Sequence, residues 1–124
     1  MVLASALASA HDVGAWVVVV GNGVAGVWAL AAHKVEALRG RPLWVFTAIV
    51  EVAIFVQVGL GVAYQNVEDV EPTQFHTLYG FSGLFAVAII YSYRNQIRDK
   101  VYLLYGLGGL FLMGLGIRAM ILHR

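Results

Sequence analysis

Residues 42–64 have the sequence PLWVFTAIVEVAIFVQVGLGVAY, which is apolar except at Thr47, Glu51 and Gln57. A hydrocarbon core about 30 Å thick is crossed by about 20 helical residues, because each residue rises about 1.5 Å. The stretch is therefore long and apolar enough to predict a transmembrane helix. Glu51 would lie about 13 Å along it, near the bilayer midplane, where a carboxylate must be neutralised, paired or put to use.

The composition extends this prediction to the whole chain. Of its 124 residues, 60% are hydrophobic and 12% are charged, whereas a soluble domain carries about 25% charged residues. A net charge of +1 without a large basic patch predicts no nucleic-acid partner. The absence of cysteine excludes disulfides and thiolate metal sites. We therefore expect a single integral membrane domain over residues 1–124.

Four apolar segments predict an all-α bundle of four transmembrane helices, at residues 12–32, 43–64, 77–93 and 101–122. The linkers between them are short, so consecutive helices are expected to be antiparallel neighbours. Residues 1–10 end in an Ala-x-Ala pattern but lack the basic region of a signal peptide. We interpret them as a retained leader to the first helix.

The charged linkers predict the orientation in the membrane. The first and third linkers are basic and the second is acidic, so the positive-inside rule places residues 33–42 and 94–100 in the cytoplasm. Both termini would then lie outside, and we expect the bacterial cell membrane. The basic residues are Lys34, Arg39, Arg41, Arg94, Arg98 and Lys100, and the acidic ones are Glu68, Asp69 and Glu71.

A faint internal repeat suggests two tandem helical hairpins. His11 opens the first helix and His76 the third, and each precedes an aromatic residue and a basic linker. The residues at 59–62, GLGV, also resemble those at 114–117, GLGI. Duplication would relate the hairpins by a pseudo-twofold axis along the membrane normal. Chance resemblance between apolar segments is the alternative.

Small residues predict close helix packing. They are expected to let backbones approach, either within the bundle or against a partner protein. The run at 21–26, GNGVAG, also matches a dinucleotide-binding fingerprint, but that motif requires a strand-to-helix turn in a parallel sheet. Because the run lies inside a membrane-length apolar segment, we predict no nucleotide partner. The predicted packing residues are Gly21, Ala25, Gly80, Gly83 and Gly109.

Three polar residues are predicted to lie within the membrane, namely Asn22, Glu51 and Gln57. Asn22 is about 16 Å along the first helix from His11, at the depth of Glu51, so a hydrogen bond between the two side chains is expected. Glu51 would then be a neutral lock between helices. The alternative is a role in proton or ion movement. No chain of acids and histidines continues from Glu51, which favours the lock.

The histidines leave a cofactor hypothesis open. His11 and His76 begin parallel helices, and two imidazoles that face each other across a bundle are a common way to hold haem b. Arg118 would lie near a propionate in that case. Otherwise Arg118 would bond Gln57 or extend to the surface, and both histidines would be ordinary interfacial residues. The sequence favours this second interpretation and leaves the cofactor unknown.

The functional hypothesis is reached by excluding other classes of protein. No serine or cysteine nucleophile with a base, and no paired carboxylates, can be assembled, so catalysis without a cofactor is not expected. We expect an accessory subunit or assembly factor of a larger membrane complex, with a respiratory or other energy-converting complex as one class. It would contact membrane lipids and other membrane-protein subunits. The alternatives are a haem b electron carrier and a small oligomeric transporter or channel that uses Glu51.

Overall fold

The computed structural model describes residues 2–68 and 74–123, without the side chains at 4, 68, 74–76, 122 and 123. The described chain forms four α-helices, as predicted. They are α1 (Val2–Lys34), α2 (Arg41–Glu68), α3 (Gln74–Tyr93) and α4 (Val101–His123). Short 3-10 turns, Glu36–Leu38 and Arg98–Lys100, precede α2 and α4. The all-α prediction is confirmed.

Three of the helices are long and apolar enough to cross a membrane. The qualifying segments are Ser5–Lys34, Arg41–Val67 and Arg98–Ile121. The apolar part of α3 that the structure describes, Thr77–Tyr93, is shorter. The chain therefore has the character of a helical membrane protein. A fourth span, and the side of the membrane on which the termini lie, stay predictions.

Two helix starts differ from the predicted ones. Helix α1 begins at Val2, before the predicted residue 12. Residues 2–10 contain alanine and leucine with no glycine or proline, and this composition favours a helix. The expected leader is therefore the first part of α1. Helix α2 begins at Arg41, directly after Gly40, whose φ of 133° suits glycine. Pro42 lies in its first turn, where the missing N–H costs no hydrogen bond.

The packing is centred on α1. This helix packs along both α2 and α4, and α3 packs along α4, whereas α2 and α3 meet at few positions. Consecutive helices therefore pack together within each hairpin, α1 with α2 and α3 with α4. The consecutive helices α2 and α3, which belong to different hairpins, pack together only a little. A pseudo-twofold axis would make the α1–α4 and α3–α2 contacts equivalent. Because they differ, the two hairpins are packed asymmetrically.

Helices α1 and α4 are in direct backbone contact. A Cβ atom added to Gly26 would lie 2.8 Å from the carbonyl oxygen of Gly106. One added to Gly109 would lie 2.8 Å from the Cα of Gly26. No side chain fits at these positions, so the glycines set the distance between the two helices.

Aromatic and basic side chains fix one end of the bundle, which we call the basic end (residues 35–40 and 94–100). Trp44 of α2 lies against Tyr102 and Tyr105 of α4, with ring centroids 5.3 Å and 5.0 Å apart. The guanidinium of Arg39 lies 4.7 Å from the Tyr102 ring centroid and its Nε donates to the Ala32 carbonyl at 2.7 Å. We call the opposite end, residues 11–16, 57–65, 77–83 and 115–120, the His11 end.

The backbone contact between α1 and α4 predicts a specific sensitivity. Replacing Gly26 with alanine should force the helices apart and lower the free energy of unfolding by about 1–3 kcal/mol, as overpacking does. Gly59→Ala is the matched control, because Gly59 is exposed and a Cβ there meets no described atom within 4 Å. Thermal unfolding in mild detergent measures both variants. Equal melting temperatures for the two would contradict this account of the contact.

Candidate functional site at the His11 end

A cavity of about 450 Å³ lies among the four helices at the His11 end. This volume falls within the range of about 300–1,000 Å³ that is typical of small-molecule sites. The polar side chains are in the part farther from the basic end, beside apolar ones such as Val62 and Met120, whereas the part toward the bundle centre is apolar. The polar lining consists of His11, Asp12, Gln57, Gln65, Thr77 and Tyr79, and the apolar lining includes Val18, Ile54, Phe81, Leu112 and Leu115.

The cavity lies between α2 and α3, where these two helices are not in close contact. Gly80 of α3 lines it, and a Cβ added there would have no described atom within 4 Å. Within the described residues Gly80 therefore has no close helix neighbour, and its predicted packing role stays a prediction. A Cβ on Gly83 would lie 3.6 Å from the Ile54 side chain, an ordinary contact with α2.

Gln57 ties α2 to α1 at the cavity wall. Its Nε2 donates a hydrogen bond of 2.7 Å to the main-chain carbonyl of His11. Its Oε1 is buried without a hydrogen-bond donor in the described structure. An added Cβ on Gly14 would overlap that oxygen, so an α-hydrogen of Gly14 points toward it as a weak Cα–H donor. Gln57 thus bonds the His11 main chain, where the sequence suggested Arg118.

His11 contacts α2 through its side chain as well. A Cβ added to Gly61 would lie 3.1 Å from the His11 Nε2 atom, so the imidazole lies against the α2 backbone. His76 is in the first turn of α3, but its side chain lies outside the described residues. The structure therefore places one of the two predicted haem ligands in the cavity lining, and the haem hypothesis stays a prediction.

Arg118 lies beside the cavity and is not one of its lining residues. Its side chain is exposed, and its guanidinium lies 5.6 Å from the ring centroid of Tyr79, which is a lining residue. This is a cation–π arrangement. The cavity lining contains no lysine and no arginine within the described residues.

The side-chain amide of Asn22 forms its hydrogen bond within its own helix. It is 1% exposed, and its Nδ2 donates to the Val18 carbonyl at 2.9 Å. The expected bond to Glu51 does not form in the described structure, because a neighbouring residue of α1 faces α2 instead. A Cβ on Gly21 would lie 2.7 Å from Val50 of α2. Ala25, one turn on, is 4% exposed.

Glu51 lies apart from the cavity. It is half-buried, and it is near enough to the Tyr105 hydroxyl of α4 to interact with it electrostatically. Thr47, one turn earlier on α2, is buried, and its hydroxyl has no hydrogen-bond partner in the described structure. The described residues contain no group of three or more metal-binding side chains. The cavity with polar and aromatic lining residues is at the His11 end, and Glu51 and Thr47 are not among them.

Sequence reasoning missed several residues of the cavity, including Gly61, Gln65 and Tyr79. A signal for part of this set is present in the sequence. Gln57, Gly61 and Gln65 are spaced by four residues, so they share one face of α2. Tyr79 has no comparable signal, because its position depends on how α3 packs.

No protein-family model, curated protein or solved structure matches the chain. The fold and the cavity define a small helical membrane protein with a partly polar cavity at one end of its bundle.

The contact between Gly14 and Gln57 predicts a coupled pair of substitutions. Gly14→Ala should displace the Gln57 amide, break its bond to the His11 carbonyl and cost about 1–3 kcal/mol of unfolding free energy. In a Gln57→Ala background the same substitution should cost much less, because the clashing group is gone. A double-mutant cycle of thermal unfolding measures this coupling. Additive effects would show that the two residues do not act through this contact.

Proposed function

We propose that the protein is an accessory subunit or assembly factor that works within a larger membrane complex. The observation that carries the proposal is the uncovered face of α2. Its most apolar 18 residues have a mean hydropathy of 2.2, higher than in the other two spanning segments, and are the least buried of the three. The face is formed by Val45, Ile49, Val52, Phe55, Val56 and Gly59, which are all exposed.

Comparing the surroundings of the glycines indicates which part of the α2 face a partner would contact. Gly21 and Gly26 of α1, and Gly106 and Gly109 of α4, are close to neighbouring helices. Gly59 differs, because it is exposed and borders open space. A small residue among large apolar ones lets another helix approach closely. We therefore propose that an apolar helix of a partner subunit packs on α2 around Gly59.

Native purification in a mild detergent tests this proposal. We expect one or more membrane proteins to co-purify in a fixed ratio with the wild-type chain. Gly59→Leu should reduce that recovery, because the larger side chain holds the partner helix away. Gly80→Leu is the matched control, since Gly80 borders the cavity and not the α2 face. A chain that purifies alone, or one whose partners are unaffected by Gly59→Leu, would contradict the proposal.

A haem b electron carrier is the second candidate. Its supporting observation is that His11 lies in the cavity lining. The absorbance spectrum of the same native preparation is the test, because bound haem gives a Soret band. A preparation without that band would eliminate this candidate.

The transporter hypothesis depends on Glu51, and a conservative substitution tests it. If Glu51 is a neutral residue between helices, Glu51→Gln should change the free energy of unfolding by no more than about 0.5 kcal/mol, because glutamine resembles the protonated acid. Ion flux in proteoliposomes should also be unchanged. A loss of flux in this variant, at unchanged stability, would instead favour the transporter hypothesis.

A further inference from the structure

The cavity is placed to receive a molecule from the bilayer. Described residues of both α2 and α3 line it, and these two helices make few contacts with each other, so among the described residues they leave a space between them. Its lining on α2 runs from Ile54 to Gln65, a length of about 16 Å along the helix axis. A lipid-soluble molecule can therefore enter sideways and lie along the helices, with one end toward the bundle centre.

The distribution of polarity indicates an amphipathic occupant. The inner part of the lining is apolar, with Ile54 and Leu112 as examples, and would accommodate a hydrocarbon portion. Gln65, Thr77 and Tyr79 bring N–H and O–H donors to the other part. A head group with carbonyl oxygens matches these donors.

The charges of the lining favour an uncharged head group. No lysine or arginine lines the cavity within the described chain, and Asp12 is an acidic lining residue. An anionic phosphate or carboxylate would therefore lack a direct cationic partner and would be placed near an acid. A neutral head group avoids that cost.

The walls favour a flat ring. Gly80 on α3 contributes no side chain to the cavity, and a Cβ there would meet no described atom within 4 Å, while Trp16, Tyr79 and Phe81 bring aromatic rings to the lining. Glycine surfaces allow a planar group to lie close to the backbone, and aromatic rings stack on or against planar groups.

We infer that the cavity at the His11 end binds an uncharged, lipid-soluble molecule of the quinone class, which enters from the bilayer between α2 and α3. The inference goes beyond the proposed function and does not depend on it. It concerns binding alone.

Tryptophan fluorescence provides a direct test. Decylubiquinone is titrated into the full chain in nanodiscs, and quenching of Trp16, the tryptophan in the cavity lining, is followed. We expect saturable quenching that is lost in Trp16→Phe, because Trp28 and Trp44 lie toward the basic end. Quenching that rises linearly without saturation would show partition into the bilayer only and would overturn the inference.

Matched glycine variants locate the site. Gly80→Leu should fill the cavity without meeting a described atom within 4 Å of its Cβ, and should weaken binding by about tenfold or more because the ring loses its space. Gly59→Leu, on the exposed face of α2, should bind decylubiquinone like the wild type. Equal weakening in both variants, or in neither, would overturn the inference. In the co-purification test the expected responses are reversed, because Gly59→Leu should reduce partner recovery and Gly80→Leu should not. Failure of this inference can therefore be told apart from failure of the proposed function.

An anionic probe and an absorbance measurement of haem complete the test of the inference. Anthraquinone-2-sulfonate is flat but anionic, and we expect it to give no saturable quenching. Saturable binding of this probe with equal affinity would overturn the inferred preference for a neutral head. A stoichiometric Soret band in the native preparation that is lost in both His11→Ala and Gly80→Leu would assign the cavity to haem and would also overturn the inference.

Discussion

The backbone contact between α1 and α4 is the constraint on which the rest of the structure depends. Gly26 meets Gly106 and Gly109 at distances that admit no side chain, so α1 and α4 are in direct backbone contact. Helix α3 then packs on α4, and α2 packs on α1. With four helices placed in this way, α2 and α3 are left with few contacts. The cavity and the exposed face of α2 both follow from that arrangement.

Polar groups within the helices are satisfied mainly by main-chain carbonyls. Asn22 donates to Val18, and Ser82 and Ser92 donate to carbonyls one turn earlier in α3. A bilayer core offers no water to polar groups, so bonding within a helix is an effective solution there. Gln57 bonds differently, because it donates to the His11 carbonyl of another helix. That bond ties α1 to α2 beside the cavity, where a rigid wall is useful for binding.

The proposed partner surface and the proposed ligand site occupy different faces of the same helix. Gly59 is on the exposed side of α2, whereas Gln57, Gly61 and Gln65 line the cavity. A partner helix on the exposed face would leave the cavity lining in place. The two proposals are therefore compatible with each other.

The sequence by itself determined the helical class, the apolar spans and the clustering of basic residues in two linkers, because these depend on local composition and chain length. It also indicated that glycines would pack helices closely and that Gln57 would be a polar residue within an apolar span. Only the tertiary structure decided that Gly109 meets Gly26, that Gly80 borders a cavity, and that Asn22 turns away from Glu51. Helices with apolar residues on every face, such as α4, carry little information on which face meets which neighbour. Those pairings depend on close contact between backbones, which no single segment specifies alone.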